Sequence, residues 1–404
     1  VSGLAGAFGG FRLVGGHVYG GSIYTGGIGT LLTSFLNSRE RGKDIQNICL
    51  QCGTCNTVCG GKLDIAGMIL KLRTKFAQED GLNPVHKFCL DTVADRHLFH
   101  SMLRIASVAQ GMITKGQPMI RHLPMFLSGL TAGRSLPSVA PQPFRDILPT
   151  IKQDVPNPKG KIAIFTGCLL DFVYVDIATD VVKALNMAGY IVEMPLGQAC
   201  CGAPATYMGD VENAKKAAEM NLNAMEAEKY DYIVSACPTC THALRDYVDF
   251  FKDNPEMLKK AEELRSKTFD FCKLVSMLGG LPDTGDGVPM KVTYHDSCHL
   301  NRYLGVTKEQ RELLKATKGV ELIEMHDCDK CCGFGGSYSV KFPEMSAPIL
   351  EEKINNIVAS GADVVAVDCP GCLLQIRGGL DARGLNNIQV KHTAQIVVEK
   401  REKK

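Results

Sequence analysis

Past residue 160 the chain alternates short apolar runs with longer amphipathic ones. KIAIF (161–165), YIVEMPL (190–196) and DYIVSA (231–236) are compact and rich in β-branched residues, which predicts strands. Between them, IATDVVKALNMAG (177–189) and GDVENAKKAAEMNLNAMEAEKY (209–230) repeat apolar residues at three and four, which predicts helices. Gly189 ends the first helix and Asp210 caps the second. The same succession returns as KVTYHD (291–296), EQRELLKATKG (309–319), VELIEM (320–325), PEMSAPILEEKINNIVASG (343–361) and ADVVAVD (362–368). Alternation of this kind implies an α/β fold, a mostly parallel sheet with helices packed on it. Upstream the pattern differs. Residues from about 81 to 136 keep a helical period, and 135–160 hold six prolines and read as a linker or surface-tracking loop.

Cysteines mark the repeat. Cys168, the pair Cys200/Cys201 and the pair Cys237/Cys240 return 130 to 132 residues later as Cys298, Cys331/Cys332 and Cys369/Cys372. Their surroundings return too: KIAIFTGC answers KVTYHDSC, QACCGAP answers DKCCGFGG, and IVSACPTC answers VAVDCPGC. This is an internal duplication. Every group falls just beyond the C-terminal end of a predicted strand, the rim where open α/β sheets bind ligands. Cys-x-x-Cys at a helix start (CPTCTHALRDY) adds the positive end of a helix dipole, which favours thiolate. The chain divides into residues 1–80, 81–160, a first unit over 161–283 and a second over 284–404.

Composition narrows the chemistry. The 404 residues include 17 cysteines and no tryptophan, and 45 basic against 43 acidic side chains leave a net charge of +2. Without a basic stripe, nucleic-acid binding is not expected. No run of about eighteen apolar residues is free of a charge or a Gly/Pro break, so no membrane span is expected. The Gly-rich start lacks a signal peptide's basic region and cleavage site, and a cytoplasmic location is expected. A long chain with an odd cysteine count fits metal or redox use better than a disulfide scaffold.

ICLQCGTCNTVCG carries Cys49, Cys52, Cys55 and Cys59 as C-x2-C-x2-C-x3-C. Two-residue gaps let three thiolates converge on a cubane [4Fe–4S] cluster. A zinc knuckle is the alternative. In two-cluster ferredoxins the fourth cysteine of such a run ligates the other cluster, so the fourth ligand here stays open. In the duplicated sets, adjacent cysteines crowd a single metal but suit irons that share a bridging thiolate. The spacing predicts two equivalent iron–sulfur sites, against two four-cysteine zinc sites with spare thiols. Cys89, Cys272 and Cys328 lie outside the sets; the first two read as buried small hydrophobes and the third as a weak substitute ligand. His295 and His299 flank Cys298, either as hydrogen-bond donors to cluster sulfur or as structural histidines. GFGG after Cys332 allows close backbone approach, and neither a dinucleotide turn nor a P-loop is present.

The two sets, each a lone Cys, then CCG, then Cys-x-x-Cys, resemble the cysteine-rich CCG domain of heterodisulfide reductase catalytic subunits. Iron–sulfur subunits of glycolate, glycerol-3-phosphate and lactate oxidation share it. TYHDSCHLNRYLGV, CCGFGGSYSVKFPEMSAPILEEKINNI and GADVVAVDCPGCLLQIRGGL are similar to the smaller lactate-utilisation iron–sulfur protein. GGHVYGGSIYTGGIGTLLTSFL, the cluster run and LDIAGMILKLR are similar to the C-terminal part of its ferredoxin-containing partner. The resemblance covers most of the chain except about 85–155 and implies the two subunits joined in one. Aligned on GGHVYG, a further cubane motif of the family would place cysteines at Val1, Leu4 and Phe8, so either that cluster is expected to be absent or the chain to be a truncated or divergent form. The present motif also ends CGG rather than Cys-Pro. The resemblance implies a small ferredoxin-like helical cluster domain followed by two Rossmann-like CCG units. It also implies one or two noncubane [4Fe–4S] clusters, at Cys168, Cys200, Cys201, Cys237 and Cys240 and at Cys298, Cys331, Cys332, Cys369 and Cys372, beside the cubane.

The first function this suggests is an electron-transfer subunit of a 2-hydroxy-acid oxidoreductase complex, with lactate the leading substrate. A flavoprotein or other redox subunit would perform the substrate chemistry, because no hydroxy-acid dehydrogenase site is evident. The alternative is a heterodisulfide reductase-type catalytic subunit that cleaves a disulfide in one-electron steps. Completeness of both five-cysteine sets favours the second, and local similarity the first. A purely structural role for the clusters is the third possibility.

Overall fold

The computed structural model describes residues 26–36, 38–114, 119–121, 134–282 and 287–402. Val1, Leu4, Phe8 and most of the Gly-rich start lie outside these. A helical lobe comes first: α1 (Gly26–Leu36), α2 (Arg39–Asn47), α3 (Thr54–Val58) and α4 (Ile65–Asp80). Ser38 and Asp64 cap α2 and α4 by accepting from the Arg41 and Gly67 amides. Ile65, Ile69, Leu72 and Phe76 form one stripe of α4 and build a small core with Leu31, into which the second unit inserts Tyr338 and Met345. Two more helices, α5 (Pro84–Ala94) and α6 (Arg96–Thr114), follow the expected period.

The Pro-rich segment is a strap rather than a free linker. The Ser135 amide donates to Gly378 O (3.0 Å) and the Ala140 amide to Phe172 O (2.7 Å), so it is tied to both units. Phe144 is wholly buried, and the Gln153 side chain both accepts from and donates to the Val192 backbone (2.8 Å each).

Two four-stranded sheets carry the duplication. In the first, β1 (Lys161–Ile164), β2 (Ile191–Glu193), β3 (Tyr232–Ser235) and β4 (Thr268–Asp270) lie in the order β2-β1-β3-β4. In the second, β5 (Met290–His295), β6 (Val320–Leu322), β7 (Val364–Val367) and β8 (Gln389–Lys391) lie as β6-β5-β7-β8. All these pairings are parallel. Register repeats with sequence: Lys161 faces Ile191 as Lys291 faces Glu321, and Ile162 faces Tyr232 as Val292 faces Val364. The inner strands are near-continuous apolar runs because helices cover both faces. Each unit thus has one strand more than the three expected. β4 and β8 are three residues long, too short to display a period.

Crossover helices are α7 (Val175–Met187), α8 (Ala203–Met208), α9 (Val211–Met225), α10 (Pro238–Asp246), α11 (Pro255–Lys267) and α12 (Phe271–Met277) in the first unit. The second has α13 (Glu309–Lys315), α14 (Pro343–Ser360), α15 (Pro370–Ala382) and α16 (Thr393–Glu399). Asp210 caps α9 as predicted. One core runs from Ile162, Ile164 and Val181 to Val365, Val367 and Val397 and fuses the units. The contacts are reciprocal: α7 packs on α16, and their duplicated counterparts, α13 and α12, pack on each other. Gln395 donates to Asp176 across the first contact (2.8 Å), and Lys273 pairs with Glu309 across the second (2.8 Å). Such reciprocity marks a pseudo-two-fold arrangement. No described helix is long and apolar enough to cross a membrane.

Candidate metal centre

Each duplicated cysteine group lies past the C-terminal end of a strand: Cys168 after β1, Cys200/Cys201 after β2 and Cys237/Cys240 after β3. Cys298, Cys331/Cys332 and Cys369/Cys372 follow β5, β6 and β7 in the same way. The order β2-β1-β3 reverses the winding between β1 and β3, and a crevice opens at such a switch point. Cys237 and Cys369 are the N-caps of α10 and α15, with a proline next, where no backbone N–H is required. Gly167, at φ +58°, precedes Cys168; a Cβ there would stand 2.9 Å from Cys240 Sγ.

The thiols touch in series. Cys168 meets Cys200, Cys201 meets Cys240, and Cys240 meets Cys237. The second set repeats this with Cys298 and Cys331, Cys332 and Cys372, and Cys372 and Cys369. The two series join where Cys237 meets Cys369, the same position of each repeat. All ten line one cavity of about 990 Å³, and Cys49 lines it with them.

Contact among thiols splits their acidities. Hydrogen bonds from Cys200 and Cys240 lower Cys201 to about 6, and those from Cys331 and Cys372 lower Cys332 to about 5. Cys369 is held well below its ordinary value by Cys237 and Cys372. Cys168 and Cys298 are pushed up by the neighbouring Cys200 and Cys331 and by burial. Each set thus holds at least one thiol of lowered pKa, Cys201 in the first and Cys332 and Cys369 in the second, within an all-sulfur group. That is a soft donor set suited to iron–sulfur or zinc rather than to a hard cation. Crowding of adjacent Cys200/Cys201 and Cys331/Cys332 favours the iron–sulfur fit. One imidazole joins the second set: a His295 nitrogen and the Cys332 and Cys372 sulfurs lie within 4.8 Å of one another. Burial pushes the His295 imidazole down to about 3.

In the lobe, Cys49, Cys52 and Cys55 wrap a turn in which Gln51 and Gly53 have φ of +55° and +71°. Gln51 Nε2 donates to Cys49 Sγ (3.5 Å), and Thr54 Oγ1 lies 3.3 Å from Cys52 Sγ. Burial, with Cys49 and Cys52 nearby, pushes the Cys55 thiol up to about 12. Cys59 closes α3 and is half-buried. Buried Arg73 fixes this turn, donating to Gln46 Oε1 (2.7 Å), Cys49 O (3.1 Å) and, in the first unit, Tyr207 O (2.6 Å). The second unit also holds it, through Tyr303 Oη to Gln51 O (2.9 Å).

Of the remaining cysteines, Cys272 is buried as expected. Cys89 is not: it is exposed on α5, where neighbouring Leu90 takes the inward position. Cys328 points its thiol at Arg311 (3.6 Å) and is outside the cavity lining. His299 bridges the units, with Nε2 2.8 Å from Tyr207 Oη and its ring stacked on Tyr303 at 5.0 Å. Sequence reasoning passed over Lys353, which is buried with Nζ donating to Asp327 O (2.5 Å) and Cys328 O (3.3 Å). Its signal was present: it falls on the inward stripe of α14 with Ile349 and Ile357.

The cysteine-rich domain (CCG) family model matches residues 162–245 and 292–377. Lactate utilization protein A of Shouchella clausii is 39% identical over 240 residues, covering 59% of this chain and 99% of that one. The Bacillus subtilis protein of the same name is 36% identical over 238 residues, 59% of this chain and 98% of that one. A probable glycolate oxidase iron–sulfur subunit of Bacillus subtilis is 30% identical over 375 residues, 89% of this chain and 84% of the relative. That last match runs through lobe and both units, so one relative already carries most of the length in a single chain.

Proposed function

This chain belongs to the family of cysteine-rich CCG-domain proteins that includes lactate utilization protein A, and from that membership we propose that it is an iron–sulfur subunit of a 2-hydroxy-acid oxidoreductase complex. Lactate is the substrate class we favour, oxidised on a flavoprotein or other redox partner. The observation that carries the reading is the meeting of Cys237 with Cys369 in a cavity that Cys49 also lines. Cys49, Cys52 and Cys55, with Cys59 or another fourth ligand, would hold a cubane cluster. The two five-cysteine sets would hold noncubane [4Fe–4S] clusters. Bound clusters supply one-electron transfer. The chain's own part is to present thiolates at the strand ends and to hold both five-cysteine sets along one cavity that Cys49 of the lobe also borders. The same reading places it in the cytoplasm, where thiols stay reduced.

Iron and zinc analysis of the anaerobically prepared full chain should give about twelve irons, four for each of three clusters. Lactate should bleach the cluster absorption only once the flavoprotein partner is added. Mostly zinc, or bleaching by lactate without a partner, overturns the proposal. A second reading, disulfide reduction of the heterodisulfide reductase type, is favoured by the roomy cavity between two complete sets. Turnover of a mixed disulfide by the isolated chain would establish it in place of the first.

A further inference from the structure

We propose that the two duplicated centres are chemically unequal, and that His295 is a nitrogen ligand to the metal of the second. The inference rests on the iron–sulfur reading above but concerns a residue that the cysteine pattern does not include.

His295 ends β5 and is fully buried, and neither ring nitrogen has a hydrogen-bond partner. The nearby Cys328 carbonyl is already taken by the Asp296 amide (3.0 Å) and by Lys353 Nζ (3.3 Å). Buried polar groups in folded proteins are almost always paired, so an imidazole with two idle nitrogens asks for an occupant. What it faces is metal-ligand chemistry: its nitrogen and the Cys332 and Cys372 sulfurs are mutually within 4.8 Å. Metal–nitrogen and metal–sulfur bonds of about 2.0 and 2.3 Å put two ligands of one tetrahedral ion about 3.5 Å apart. A contraction of roughly 1 Å around an ion closes that gap.

The duplication supplies the control. Strand register and the 130-residue offset make Phe165 the counterpart of His295. Phe165 is equally buried and packs among Cys200, Cys201, Cys237 and Cys240. Thus equivalent places, each in company with its own unit's thiols, hold an apolar ring in the first unit and an imidazole in the second. Packing alone is met by phenylalanine without burying two unpaired nitrogens. A neutral nitrogen ligand leaves the second centre less negative than an all-thiolate one, and histidine ligation of an iron–sulfur cluster raises its potential. Reduction of either centre adds one electron from the reductant to iron, and no bond is made or broken.

The test uses the full chain carrying its clusters, grown with ¹⁵N-histidine or natural-abundance histidine and titrated stepwise with dithionite. Pulsed EPR should show a histidine nitrogen coupled to one centre. His295→Phe should abolish that coupling and bring the two midpoint potentials together. His295→Cys, which keeps a ligand in place should the phenylalanine variant fail to fold, should retain iron, lose the coupling and lower the second midpoint. Absence of histidine coupling in the parent chain, or its persistence in either variant, overturns the proposal. If the chain instead carries zinc, X-ray absorption separates the two claims. A nitrogen in the zinc shell that disappears in His295→Cys keeps the ligand assignment and removes only the iron–sulfur reading, whereas an all-sulfur shell removes both.

Discussion

Gly167 sets how closely the ends of the first cysteine set approach. Its φ of +58° costs an L-residue about 1–2 kcal/mol, and a Cβ would press on Cys240 Sγ at 2.9 Å. Gly167→Ala should therefore lower stability by roughly that amount and strip iron from the first centre while the second keeps its own. Metal analysis with thermal melting checks both, and full iron occupancy of the first centre would refute it. The counterpart, Ser297, has no positive φ, so Ser297→Ala should leave iron content unchanged. At this scale the sequence was legible where chemistry is written in residue type. All ten duplicated cysteines were named from spacing alone, and the structure gathers them along one cavity. What periodicity could not say is which side of a helix turns inward. Cys89 was expected inside and is outside, while Lys353 is inside because its phase on α14 outweighs its charge.

Short or irregular elements were the hardest to read. The alternation of strand and helix was plain because each central strand is buried on both faces and each long helix on one. β4, β8 and the strap carry no such signal; their places are fixed by neighbours far along the chain. The strap makes its own prediction. Phe144→Ala removes a wholly buried ring and should cost about 3–5 kcal/mol, visible in urea melts and as faster proteolysis near residues 135–160. The α7–α16 contact makes another. Burial pushes the Asp180 carboxyl on α7 up to about 6. The folded chain then keeps a proton that the unfolded chain sheds above about 4, so stability falls as pH rises from about 4 to 6 and stays lower beyond. Asp180→Asn should flatten that slope and gain on the order of 1 kcal/mol at pH 7, after allowance for partial exposure. Urea melts at pH 4.5 and 7 decide it, and an unchanged slope refutes it.

Across the whole molecule, the duplication was evident from cysteine offsets, but the joining of its halves was not, because no local pattern encodes which helices meet across a shared core. That joining predicts unequal reach for equivalent-looking cysteines. Cys168 meets Cys200 of its own set, whereas Cys237 meets Cys369 of the other. Cys168→Ala should disturb one centre, and Cys237→Ala should deplete iron from the first and change the absorption of the second. Iron content and visible spectra distinguish these, and an unaltered second centre in Cys237→Ala would contradict the shared wall. The meeting of Cys237 with its own counterpart also bears on origins. A residue that touches its own copy is what a self-associating ancestor would leave after gene fusion, when two identical subunits became two halves of one polypeptide. Fusion lifts the obligation to stay identical: in a homodimer any substitution appears twice, but here Phe165 and His295 could part company at one place, and the molecule could acquire a direction.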